Sequence, residues 1–135
     1  MGVAGRLAPP LLLMGLIFFL SAQPDLNSGL GLWDTIGRKI LHMAEYGVLW
    51  FLWWRAFGYR LAALAVAVAL LYAVSDEVHQ SFVDGRHGSP WDVAIDSAGV
   101  GLTGLLVVWR ARSPGTLAAP RPRTGGPPPA EARRP

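Results

Sequence analysis

Four long apolar blocks limit what this chain can fold into. They run from Pro9 to about Ala22, from Ile40 to Phe57, from Leu61 to Ser75 and from Val93 to Trp109. A helix that crosses a bilayer takes about 20 residues, with a working range of roughly 17–25. The second and fourth blocks meet that length directly. The third meets it if its helix continues through Asp76-Glu77-Val78-His79 toward the interface. Inside lipid every backbone N–H and C=O must find a partner within the chain, so repeated blocks of this kind read as transmembrane helices. The first block is the shortest. Arg6, the run Leu11–Leu20 and the pair Ser21-Ala22 also fit a secretory signal peptide, whose removal would leave the orientation of the other helices unchanged.

The expected fold class is therefore all-α: a four-helix transmembrane bundle over residues 1–112, followed by a disordered tail over 113–135. The tail carries seven prolines and no apolar periodicity, so it cannot bury enough surface to offset its ordering entropy. At 135 residues there is room for one domain. With no cysteine, thiolate nucleophiles and thiolate zinc sites are excluded.

A net charge of +3 and a pI near 10.0 resemble a nucleic-acid binder until the charges are located. With the N-terminus inside, the inner side holds Arg6, Arg55, Arg60, Arg110, Arg112 and the four tail arginines. The outer side holds Arg38, Lys39 and Arg86, together with most of the acids. Nine basic residues against three is the asymmetry of a membrane protein whose termini are cytoplasmic, and nucleic acid is not an expected partner. The six tryptophans, Trp33, Trp50, Trp53, Trp54, Trp91 and Trp109, lie mostly near block ends, as interfacial anchors do.

The informative residues are polar groups where lipid should be. A charge at the bilayer centre costs about 2.5–3.5 kcal/mol on insertion scales, so such groups face a bundle interior or a wet cavity. Lys39, His42, Glu45 and Tyr46 fall within a ~120° arc at ~100° per residue, one polar stripe on an apolar helix. On the third helix Asp76, His79 and Gln80 share a face, while Glu77 diverges by roughly 100° and is expected to matter less. Ser89 as N-cap and Pro90 at the first helical position open the fourth helix, with Asp92 suited to its positive end. Asp96, a turn deeper, has no such capping explanation. Because the second helix starts outside, the third ends there and the fourth starts there, Lys39, His42, Tyr46, Asp76, His79, Gln80, Arg86, Asp92 and Asp96 are expected at one depth, in a single outer cleft.

At these residues the chain resembles the VanZ-like family of small bacterial membrane proteins. The matching features are Lys39-x-x-His42-x-x-Glu45-Tyr46-Gly47-x-Leu49, Ser75-Asp76-Glu77-x-His79-Gln80-x-Phe82, and Arg86 followed by Asp92-x-x-x-Asp96-x-x-Gly99. The ordered set spans about Pro9 to Arg110. The resemblance implies a multi-helix protein of the bacterial cytoplasmic membrane, with a founding member associated with resistance to teicoplanin. It brings no established reaction. The loop before Arg86 reads Val83-Asp84-Gly85, where family members commonly carry a proline.

Three functions fit. The cleft binds an amphiphile of the outer leaflet, a lipid-linked envelope precursor or a lipoglycopeptide, with Arg86 and Lys39 on anionic groups and the acids on hydroxyls or amines. Alternatively it is catalytic, with His42 or His79 as general base oriented by Asp96 or Asp76. A metal variant of that reading lacks an H-E-x-x-H spacing, and neither metal nor cofactor is assigned. Or the polar groups lock the helices together in a membrane assembly. The topology is directly testable. A reporter fused after Arg112 is expected to read as cytoplasmic, and one inserted in the Asp84–Gly88 loop as extracytoplasmic; the reverse pattern would invert the whole assignment.

Overall fold

A computed structural model describes residues 2–23, 32–86 and 88–112, without the side chain of Asp34. The tail beyond Arg112 and His87 of the α3–α4 loop lie outside the described residues. The described chain is all-helical: α1 Val3–Ser21, α2 Leu32–Ala56, α3 Ala62–Gln80 and α4 Pro90–Arg112. Helices α1, α3 and α4 are each long and apolar enough to cross a membrane. At 25 residues α2 is long enough, but Arg38, Lys39, Glu45 and Arg55 dilute its apolar character. Every block becomes a helix, and each helix but α1 reaches beyond its block into polar sequence at the end where α3 joins α4.

Several terminators have local causes. Ser89 caps α4: its Oγ accepts the Trp91 N–H at 3.2 Å and its carbonyl accepts the Asp92 N–H at 2.9 Å. The α2–α3 turn is closed by Gly58 and Tyr59, both in the left-handed region at φ 68 and 61. Glycine adopts that conformation freely, whereas a tyrosine there is strained by about 1 kcal/mol or more. Its compensation is packing: the Tyr59 ring meets Trp54 edge-on at 4.9 Å. Pro9 and Pro10 sit inside α1 and remove the N–H groups that would pair with the carbonyls of Gly5 and Arg6. The Gly5 carbonyl finds another donor, the Arg55 guanidinium of α2, at 3.4 Å.

The helices alternate in direction, so α1 runs parallel to α3 and α2 parallel to α4. Helices α2 and α3 are central; α1 and α4 flank them and do not meet, and the α2–α4 interface is the most extensive. The interior is small: Ile17, Tyr46, Leu49, Trp50, Val100 and an alanine stripe, Ala65, Ala69 and Ala73. Lipid tails are as apolar as leucine, so close packing rather than water exclusion holds such helices together. Leu12, Leu71 and Leu105 accordingly point outward, each at least 70% exposed. The tryptophans divide. Trp33, Trp91 and Trp109 are exposed at helix ends, whereas Trp50 is buried and stacks on Trp54 at 5.5 Å, so this pair is core rather than interfacial anchor.

Two glycines set the α2–α4 distance. A Cβ on Gly99 would collide with the Met43 backbone, lying 2.7 Å from its carbonyl carbon, and one on Gly47 would overlap the Thr103 side chain. The obstacle at Gly99 is backbone and cannot swing aside. Gly99→Ala is therefore expected to destabilise the bundle by about 1–3 kcal/mol. Gly101→Ala, where nothing lies within 4 Å, should be near neutral. Unfolding of the two variants in bilayer nanodiscs checks the contrast.

Candidate functional site

At the end of the bundle where α3 joins α4, the helices α2, α3 and α4 and the α3–α4 loop surround a cavity of about 270 Å³. From α2 it receives Thr35, Arg38, Lys39 and His42, spaced at i, i+3, i+4 and i+7 so that one helical face supplies them all. Glu77 and Gln80 enter from α3, Arg86 from the loop, and Asp92 and Asp96 from α4. Three basic side chains and three carboxylates thus meet in one cleft, together with an imidazole.

Two pairs of a basic and an acidic side chain cross the α2–α4 interface. Lys39 Nζ pairs with Asp92 Oδ1 at the mouth, where both side chains are partly exposed. One turn deeper, His42 Nδ1 lies 3.6 Å from Asp96 Oδ1, an ion-pair contact rather than a hydrogen bond. Asp96 is only 2% exposed, and its Oδ1 has no hydrogen-bond partner among the described residues. A carboxylate so placed needs the imidazole facing it, because an isolated charge at this depth is several kcal/mol less favourable. Below both pairs lies Tyr46, fully buried, with its hydroxyl unpartnered among the described residues.

Glu77 corrects the helical-wheel expectation. It is 7% exposed and its Oε1 accepts the Ser89 N–H at 2.6 Å, tying the end of α3 to the start of α4. A Cβ on Gly88 would lie 2.8 Å from the Glu77 carbonyl oxygen, so the loop packs directly on the helix end. The missed signal was the alanine stripe: Ala65, Ala69 and Ala73 continue at the same spacing to Glu77, which places it on the buried face. Arg38 and Thr35 were also missed, although each lies four residues before a stripe residue, His42 and Lys39 respectively.

The expected single cleft is in fact two polar clusters, because α1 claims part of the α3 face. Asp76, 2% exposed, accepts from Ser21 Oγ of α1 at 2.8 Å and from Gln80 Nε2 at 3.0 Å. His79 stacks on Phe18 of α1 with ring centroids 4.2 Å apart. Neither Asp76 nor His79 lines the cavity; Tyr46 and the half-buried Glu45 do not line it either. Gln80 belongs to both clusters, lining the cleft while also donating to Ser21 Oγ at 3.2 Å. Among the described residues, no three histidine or carboxylate side chains come together as metal ligands would.

The VanZ/LLP1 family model matches residues 7–112, which contain all four helices but the first turn of α1, and every cleft residue. No curated protein and no solved structure matches the chain.

The His42–Asp96 contact makes a quantitative expectation. His42→Ala leaves a buried carboxylate and Asp96→Ala leaves an unpaired imidazole, so either loss includes the penalty of the orphaned partner. The double variant is therefore expected to cost about 1–3 kcal/mol less than the sum of the singles in a double-mutant cycle. Additive losses would make the two residues independent. In the same assay Glu77→Ala, which frees the Ser89 N–H, should be clearly destabilising.

Proposed function

Since the chain belongs to the VanZ/LLP1 family, we propose that its polar cleft binds an amphiphile carrying an anionic group, a lipid-linked envelope precursor or an acylated glycopeptide such as teicoplanin. The observation that carries this reading is Arg86. Its guanidinium lines the cleft and has no ion-pair partner among the described residues, whereas the Lys39 ammonium is committed to Asp92. A guanidinium offers a planar fork of donors suited to a carboxylate or phosphate. Glu77, Asp92 and Asp96 then present acceptors to hydroxyls or amines. The cleft opens where α3 ends and α2 and α4 begin, so an acyl chain can remain in the leaflet while the polar head enters. On the loop-charge argument, that leaflet is the outer one of a bacterial cytoplasmic membrane, with both termini cytoplasmic.

One observation favours a second reading, an acid/base enzyme acting on a lipid-borne envelope precursor. Asp96 faces Nδ1 of His42, which holds the ring and leaves Nε2 as the nitrogen able to take a proton. In this reading His42 is the general base and Asp96 its positioning partner. His79 and Asp76 have no part in it, because they serve the α1 contact.

The two readings part in one experiment. Full-length chain in nanodiscs is presented with teicoplanin, with deacylated teicoplanin and with a lipid-linked pyrophosphate precursor. Binding to an acylated probe is expected to fall on the order of tenfold in Arg86→Gln, the loss of a charge-assisted contact. It should be unchanged in Arg112→Gln, at the far end of α4. Turnover of the precursor that His42→Gln abolishes while binding persists would establish the enzyme instead. Absence of both binding and turnover would leave the polar groups as helix locks and sink the binding proposal.

A further inference from the structure

We propose a second binding site, at the opposite end of the bundle, in which Arg6 and Arg55 hold the phosphate of an anionic phospholipid headgroup. Arg6 of α1 and Arg55 of α2 line an open cavity of about 530 Å³ together with Gly58 and Tyr59 of the α2–α3 turn. The two guanidinium groups come from sequence positions 49 apart, so their convergence is a product of the fold.

No carboxylate among the described residues lines this cavity. Among the described residues, no Asp or Glu occurs in α1, between residues 46 and 75, or between 97 and 112. Two like charges sharing one cavity repel each other unless an anion joins them, and at a bilayer surface the abundant anion is lipid phosphate. The placement argues for a lipid source: the cavity lies at the terminal turns of membrane-spanning helices, beside the outward-facing Val3 of α1 and Leu61 at the start of α3. The Tyr59 side chain is half-exposed at its edge, in the position of an interfacial aromatic.

Arg55 is also held in place by a device in the sequence. Pro9 has no N–H, so the Gly5 carbonyl loses its helical donor and accepts one Nη2 hydrogen bond from Arg55 at 3.4 Å. A guanidinium has five N–H donors, so four remain for a ligand. The proline thereby fixes one half of the arginine pair beside the other. Pro9 acts as a positioning residue, since it touches no ligand.

Native mass spectrometry of the detergent-solubilised full chain tests the site, with phosphatidylglycerol, phosphatidylcholine and inorganic phosphate as probes. Phosphatidylglycerol is expected to be retained in preference to the other two. Arg6→Gln and Arg55→Gln should each weaken that retention on the order of tenfold. Pro9→Ala, which keeps both charges but restores the helical donor to Gly5, should weaken it several-fold. Arg110→Gln/Arg112→Gln, which removes two charges from α4 at the same end of the bundle, should leave it unchanged. Circular dichroism confirms that each variant keeps its helices. Equal loss in the Arg110/Arg112 variant would reduce the effect to general surface charge and overturn the site. Retention of inorganic phosphate as strongly as of phosphatidylglycerol would overturn the lipid assignment.

Discussion

The close approach of α2 and α4 is the constraint on which the rest depends. Four cross-helix pairs mark it: Lys39 with Asp92, His42 with Asp96, Met43 with Gly99 and Gly47 with Thr103. Their sequence separations are nearly constant, as they must be between two parallel helices in fixed register. Gly99 against the Met43 backbone sets the spacing, and that spacing lets a short carboxylate on α4 reach a side chain on α2. Widen the interface by one methyl group, and Asp96 loses the imidazole that makes its burial tolerable. Packing and charge pairing at this seam are one feature.

The seam is also a gradient. At its mouth Lys39 and Asp92 keep about 41% and 34% of their side-chain surface exposed. One turn in, the figures for His42 and Asp96 fall to 22% and 2%, and Tyr46 beyond them is sealed. Electrostatic contacts strengthen as the surroundings dry out, so the inner pair is coupled more strongly than the solvent-screened pair at the mouth. Arg86 stands above this gradient on a loop that Glu77 fastens to the end of α3 through Ser89.

Much of this was legible in the sequence. Alternation of the blocks makes α2 and α4 parallel, and loop polarity puts the starts of both at one depth. The pairing of His42 with Asp96 follows from depth alone once α2 and α4 are neighbours. Capping by Ser89 and Pro90 needed only local chemistry. What the wheel could not give was the partner of each face. Asp76 and Glu77 are adjacent in sequence and both buried, yet Asp76 turns to Ser21 of α1 and Glu77 to the amide of Ser89. Angular position on one helix fixes neither the neighbouring helix nor which of two interfaces a residue at their border will join. The alanine stripe at 65, 69 and 73 carried that information for Glu77. Nothing comparable marked His79 as the partner of Phe18.

The first helix explains why a family pattern of acids and histidines need not describe one site. Ser21, Phe18 and the Met14 carbonyl each engage α3, through Asp76, His79 and Tyr72 respectively. In lipid these polar contacts do the fastening that hydrophobic burial performs in water. Asp76 is thus held by neutral donors, Ser21 and Gln80, while Asp96 faces a titratable side chain, His42, at 3.6 Å. A hydroxyl and an amide keep their charge at any pH, whereas an imidazole facing a carboxylate changes its own. The same residue type therefore fastens α1 to α3 in one cluster and lines the cleft beside an imidazole in the other.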